Sequence, residues 1–367
     1  MADKIKNSAV VALAALFIGG FALWSLLQPD AAESVAERRP LAQLPELSAE
    51  SVLSGAFMTD FERYTLDQFP LRDAFRTVKA CTALYAMGQK DNNGLYVVDG
   101  YVSKLDYPLD TASVDYAASR LQFVYDRYLA GRDMDVYLAV IPDKNTFMAA
   151  ENGYPAFDYD ELCDRVRSET SFARFIDIAP DLELADYYRT DTHWRQESIT
   201  DVAAHLLAAM GAEADAPDYT VRKADAPFYG TYAGQSALPL APDALRYLES
   251  DTLARCTVYD YETAREIPVY ALEQAAGKDP YALFLSGSKS LLTIQNPDAE
   301  TDRRLILFRD SFGSSLAPLL VAGYKEITLV DIRYIAPAIL DRFLSFEDQD
   351  VLFLYSASIL NNSETMK

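Results

Sequence analysis

The hydrophobic and polar positions of this chain change period several times. Behind Lys4 and Lys6, residues 9–27 (AVVALAALFIGGFALWSLL) are apolar on every side. A run of that length is enough to cross a bilayer as a helix. It exceeds the apolar core of a cleaved signal, and no Ala-x-Ala site follows it closely. The two lysines favour a cytoplasmic N-terminus. Residues 1–28 therefore read as a cytoplasmic stub and a single transmembrane anchor, with the bulk of the chain outside the cytoplasm. A cleaved signal and a buried core helix are the other readings such a run allows. Residues 29–50, rich in Pro, Ala and Glu and without period, read as a linker.

From Ser51 the spacing becomes helical. FERYTLDQFPLRDAFRTVKACTALYAMG carries apolar residues three and four apart, with Pro70 as a break or kink. NGLYVVDGYVSKL places turn signals at Asn93-Gly94 and Asp99-Gly100 around a short strand. Residues 112–129 predict an amphipathic helix, and Asp135 to Pro142 (DVYLAVIP) a strand apolar on both faces. ESITDVAAHLLAAMG predicts a helix closed by Gly211, with His205 packed or exposed on one face. Residues 212–280 lack helical period and include a hairpin-like stretch, CTVYDYETAREIPVYAL. They read as a partly β insertion bordering a site. The C-terminal third alternates strand and helix: RLILF, SFGSSLAPLLVAGY, EITLVDI, APAILDRFL, DVLFLYS. Such alternation implies a mainly parallel sheet covered on both faces, hence an α/β fold for residues 51–367.

Composition narrows the function. Half of the 367 residues are hydrophobic, which is ample for a packed core, and the formal charge is -22. With no basic stripe, binding along a nucleic-acid backbone is excluded as the main activity. Cys81, Cys163 and Cys256 are far apart and form no Cys-x-x-Cys pair, so neither a zinc ribbon nor a dithiol site is expected. No cofactor and no metal is called for.

Two stretches carry candidate chemistry. The chain has only two histidines, and one, His193, stands two residues after Asp191 and directly before Trp194 in YYRTDTHWRQES. In RLILFRDSFGSSLAPLL a buried strand runs through Asp310-Ser311-Phe312-Gly313 straight into a helix. A serine at such a turn either caps its helix or presents a nucleophilic hydroxyl beside the backbone N–H groups of the helix start. Likewise, His193 either supports the fold or serves as a general base oriented by Asp191. An order Asp…His…Ser is admissible, since such triads are recognised by role rather than by sequence position.

TDTHW and DSFGSSLAPLL…Y…ITLVDIRY, together with YTLDQFPLRDAF, GLYVVDGYVSKL, FYGTYAGQSAL and YALFLSGSKSLLTIQNP, resemble the DHHW proteins. These are SGNH-hydrolase-like relatives of the alginate and polysaccharide O-acetyltransferases. Thr192 stands where the family name implies the first of two histidines. The resemblance implies a three-layer α/β/α sandwich with the SGNH motif order rearranged, and a triad of Asp191, His193 and Ser311. It implies oxyanion donors from the Ser311 N–H, from a glycine, for which Gly287 is the candidate, and from an asparagine, for which the chain offers Asn361 or Asn362. It further implies a glycan substrate and a multi-spanning membrane acyltransferase as acetyl donor. Trp194 is a candidate stacking surface for a sugar ring, and Lys144 and Arg333, at strand ends, are candidate substrate contacts. An esterase using the same triad and a catalytically silent glycan-binding or envelope scaffold are the rival functions.

Overall fold

The structure is a computed structural model that describes residues 2–367. It divides into two compact units, one comprising residues up to 93 together with 233–239, the other residues 94–232 and 240–367. The expected 51–367 domain thus spans parts of both.

In the first unit, helix α1 (Ala2–Leu27) is long and apolar enough over Lys4–Leu27 to cross a membrane. Helices α2 (Ala56–Asp67) and α3 (Arg72–Cys81) follow, separated at Pro70 as the sequence predicts. A network of ion pairs runs through this unit. Arg39 grips Asp67 with two nitrogens, at 2.8 and 2.5 Å. That pairing holds the Asp67 carboxyl at about 2, below the ordinary range. Arg72 and Arg76 both reach Glu37, at 2.5 and 3.2 Å. The returning segment is fixed by Arg76, which donates to Gly234 O, and by Asn92, which donates to Ser236 O.

The second unit is built on an eight-stranded sheet. Its strands are β1 (Val136–Ile141), β2 (Arg174–Phe175), β3 (Thr257–Asp260), β4 (Arg265–Ile267), β5 (Leu291–Gln295), β6 (Arg304–Arg309), β7 (Glu326–Val330) and β8 (Gln349–Ser356). The order is β4-β3-β5-β7-β6-β8-β1-β2, parallel from β7 to β2 and antiparallel from β4 to β7. Alternate residues of β6 enter opposite cores: Leu305 and Leu307 on one face, Ile306 and Phe308 on the other. A strand buried on both faces must be apolar at every position, which is why RLILF has no polar alternation. Helix α4 (Thr111–Val124) and α5 (Tyr159–Glu169) cover the second face through Val114, Leu121, Leu162 and Val166. Helix α6 (Thr200–Ala209) and α7 (Gly313–Leu320) cover the first through Val202, Leu206, Leu316 and Leu320. The result is the expected three-layer α/β sandwich.

Residues 212–280 differ from expectation in one respect. The hairpin is present as β3 and β4, but it is the edge of the main sheet rather than an appendage. Thr220–Lys223 and Arg246–Glu249 form a separate two-stranded ribbon.

Candidate active site

Strand β6 ends at Arg309, in the middle of the parallel part of the sheet, and the chain turns through Asp310–Phe312 into α7. Open α/β sheets place their sites at such carboxyl ends. Asp310 fixes the turn: Oδ1 accepts from Phe312 N at 3.0 Å, and Oδ2 accepts from Ser356 N at 2.8 Å, at the end of neighbouring β8. Gly313 is required by space, because a Cβ there would stand 2.7 Å from the Arg309 Cβ. Ser311 does not cap α7. The N-cap position is Phe312, without a side-chain cap, and the Ser311 hydroxyl turns outward to His193.

The histidine loop is closed on itself and then clamped to that turn. Tyr187 and Trp194 form an antiparallel bridge, and Tyr188 N donates to His193 O at 3.1 Å. Trp194 is fully buried, and its Nε1 donates to Ser315 Oγ at 2.9 Å and to Phe312 O at 3.3 Å. Gln196 Nε2 donates to Ser315 O at 2.8 Å. Trp194 and Gln196 thereby bond the loop to the start of α7, beside which stand the histidine and the serine.

His193 Nε2 lies 2.8 Å from Ser311 Oγ, and its Nδ1 lies 2.5 Å from Asp191 Oδ1. A carboxylate on Nδ1 holds the proton there and leaves Nε2 as an acceptor for the serine hydroxyl. Asp191 is itself immobilised: Oδ1 accepts from His193 N at 3.1 Å and Oδ2 from Thr231 N at 2.8 Å. The loop reaches this close only because residue 230 is glycine. A Cβ there would lie 2.4 Å from the Asp191 Cβ and from Thr190 O. Asp243 fixes the preceding residues, accepting from Arg189 N, Thr190 N and the Thr190 hydroxyl.

Tyr281 stacks on the imidazole, with centroids 3.8 Å apart and planes at 8°, and its hydroxyl donates to Ser315 Oγ at 2.8 Å. Burial pushes the phenol well above its ordinary range, so it stays neutral. Neither Tyr281 nor Ser315 is singled out by the sequence. They lie in YALFLSGSKSLLTIQNP and DSFGSSLAPLL, but they meet His193 and Trp194 only through tertiary approach.

The remaining candidates are placed differently from expectation. Trp194 has no exposed face for a sugar ring, because the Tyr187 bridge turns it inward against Phe312 at 5.3 Å. Lys144 is buried, and its Nζ donates to the carbonyls of Val102, Tyr188 and Arg189. It braces the histidine loop from beneath. Burial lowers its ammonium to about 7, against the opposing charges of Asp191, Asp243 and Asp143. The Arg333 guanidinium is held by both oxygens of Asp331, at 2.9 and 2.7 Å. The Gly287 N–H donates to Phe284 O, closing a local turn. Asn361 donates to Asp106 Oδ1 and Pro108 O, and Asn362 to Ser358 O. None of these three is free to serve as an oxyanion donor. His205 pairs with Asp181 at 2.6 Å on partly exposed α6. Thr192 takes a hydrogen bond from Tyr232 at 3.2 Å.

No family model and no curated protein matches the chain. Solved structures do. A DHHW family protein from Eubacterium siraeum matches with a TM-score of 0.58 at 20% identity, over 75% of this chain and 95% of that one. Bacillus cereus PatB1 matches with a TM-score of 0.56 at 20% identity, over 73% of this chain and 97% of its own. PatB1 with a sulfonyl adduct matches with a TM-score of 0.54 at 17% identity, over 72% and 97%. The sheet order, the strand-turn-helix at Ser311 and these likenesses together give the chain the α/β fold of the DHHW protein and PatB1.

Proposed function

We propose that this chain is a membrane-anchored serine O-acyltransferase acting outside the cytoplasm on a cell-surface or exported polysaccharide, acetyl being the acyl group. The observation that carries the reading is the series of hydrogen bonds from Asp191 through His193 to Ser311. A helix cap would not need the imidazole, and a structural histidine would not need its Nε2 aimed at a part-buried serine hydroxyl.

In this reading Ser311 Oγ attacks the acyl carbonyl carbon while His193 Nε2 takes the hydroxyl proton. The C–O bond to the donor breaks, and His193 returns the proton to the leaving oxygen. A sugar hydroxyl then attacks the acyl-serine, His193 takes its proton, and the acyl bond to Ser311 breaks as the serine is reprotonated. Asp191 stabilises the imidazolium formed in each half. Water in place of the sugar gives the esterase reaction with the same groups. The developing oxyanion falls to the Ser311 N–H. At this turn the amides of Phe312, Gly313 and Ser314 already donate to Asp310 Oδ1, Asp310 O and Ser311 O. The glycan substrate and a membrane acyltransferase supplying acetyl come from the family resemblance.

The test is turnover of a chromogenic acetyl ester, with and without a glycan acceptor, by the full-length chain in detergent. Wild type should release the chromophore and transfer acetyl to the acceptor, and a sulfonyl reagent should modify Ser311. PatB1, which shares the fold, has been solved with a sulfonyl adduct. Equal rates from wild type and Ser311→Ala would leave Ser311 without a chemical role and favour the scaffold.

A further inference from the structure

Helix α3 is amphipathic in the wrong direction for water. Leu71 at its start, then Phe75, Val78 and, one turn past its end, Tyr85 repeat at intervals of four, three and seven and fall on one stripe. That stripe faces outward: Leu71 is 53%, Val78 62% and Tyr85 70% exposed, and Phe75 is exposed as well. Arg72 and Arg76 of the same helix face inward and meet Glu37, while Asp73 and Lys79 remain exposed beside the stripe. Helix α2 adds exposed Met58, Phe61 and Leu66, with Phe57 stacked on Phe61 at 5.7 Å. An exposed apolar stripe backed by an ionic interior marks a partner surface.

Contact with α1 says what that partner is. Phe21 of α1 stacks on Phe69 at 5.3 Å and meets Phe75 edge-on at 5.8 Å, and Phe69 meets Phe75 at 5.6 Å. Gln28 Nε2 donates to Gln68 O, and Tyr64 donates to Asp30. Phe21 stands about 9 Å below the end of α1 at 1.5 Å per residue. Where α1 crosses a hydrocarbon layer about 30 Å thick that ends near Leu27, that level lies within the outer part of the layer. Phe69 and Phe75 must share it, and the stripe of α3 continues from them.

We propose that α2 and α3 lie in the outer face of the lipid bilayer, with the Leu71–Phe75–Val78–Tyr85 stripe and the exposed side chains of α2 buried among acyl chains and headgroups. The bilayer-exit unit is then a monotopic collar around the spanning helix, and the ion network of Glu37, Arg39, Asp67, Arg72 and Arg76 is its water-side core. This rests on the reading of α1 as a spanning helix.

The experiment is photolabelling of the full-length chain in phosphatidylcholine vesicles by a carbene reagent confined to the hydrocarbon, followed by peptide mapping. Label is expected in α1 and in peptides covering residues 56–86, and Val78→Glu with Phe75→Ser should cut labelling of the second region at least several-fold while leaving α1 unchanged. Label in α1 alone would overturn this inference and leave the anchor intact. Label in neither region would overturn the anchor and the inference together. Label of residues 56–86 in native membranes but not in pure lipid would assign the face to a protein partner and reject lipid as its occupant.

Discussion

His193 and Ser311 were legible because each sits in a short stretch whose chemistry is visible without the fold. A rare histidine two positions from an aspartate, and a serine between a strand and a helix, are local facts. The side chains that hold them were not, since Tyr281, Ser315 and Gln196 acquire their roles only when distant segments pack. Trp194 illustrates the limit. Sequence places an aromatic beside the histidine but does not give its direction, and the bridge to Tyr187 turns it into the core. Ser311→Ala should lower acyl turnover roughly 10⁴-fold or more, over 5 kcal/mol of transition-state stabilisation. It should barely change thermal stability, because the hydroxyl caps nothing. His193→Ala should match it in rate. Asp191→Asn should fall by a similar factor through the wrong imidazole tautomer, and the effects should not add. Steady-state rates of the single and double variants check this; additive losses would mean that the three groups act independently.

A second residue-scale prediction concerns Asp143. Its carboxyl is buried with Oδ2 unpaired, and burial, aided by the nearby Asp106 charge, raises it to about 8. A raised folded value means the group contributes most below its unfolded value near 4 and loses that contribution as pH rises toward 8. Lys144, lowered to about 7, acts oppositely but only from about 7 upward. Between pH 5 and 7 the Asp143 slope should therefore be free of the Lys144 contribution, and comparison with the variant cancels the slope of the other raised carboxyl, Asp186. Asp143→Asn mimics the protonated form, so its melting temperature should gain on wild type steadily across that interval. Parallel curves would place the charge of Asp143 on a partner after all.

At the level of elements, the alternation of strands and helices in the last third of the sequence was readable because strands buried on both faces and short covering helices leave distinct patterns. The membership of β3 and β4 was not. A hairpin looks the same in sequence whether it stands alone or extends a sheet, and only the pairing of β3 with β5, over thirty residues on, decides it. The close approaches that shape the site were equally hidden, since a glycine gives no hint of what lies opposite. Gly230 and Gly313 allow the histidine loop and the serine turn to reach their positions. Gly230→Ala should destabilise by about 1–3 kcal/mol or more, the range for overpacking, because the added carbon meets backbone and Asp191 at 2.4 Å. Gly313→Ala should cost a similar amount, since the Arg309 Cβ at 2.7 Å is fixed to β6 and its side chain is fully buried. Both should slow sulfonylation of Ser311 by displacing one partner of the His193–Ser311 bond. Denaturant midpoints and labelling rates measured on the same samples check the pair, and unchanged values for Gly230→Ala would mean that the loop tolerates a wider gap than its hydrogen bonds imply.

For the molecule as a whole, the apolar helix was the plainest feature of the sequence, because crossing a bilayer needs length and composition and nothing tertiary. The division into units was invisible, because the first unit recruits 233–239 from far along the chain through Arg76 and Asn92. Topology follows from where cations sit at the moment of insertion. Lys4 and Lys6 lie within the first turns of α1, whereas the nearest cations on the other side, Arg38 and Arg39, are more than ten residues beyond Leu27. The acidic groups that give the chain its charge of -22 carry little weight in this choice. Positive charge close to the helix is retained on the cytoplasmic side, so the chain beyond Gln28 should emerge on the outer side. A protease added to intact cells should degrade everything past Gln28, and a reagent for amines that cannot cross the membrane should reach Lys104 or Lys223 but neither Lys4 nor Lys6. Protection of the whole chain until lysis would reverse the orientation, remove any exported polysaccharide from reach of Ser311, and require an intracellular acyl acceptor instead.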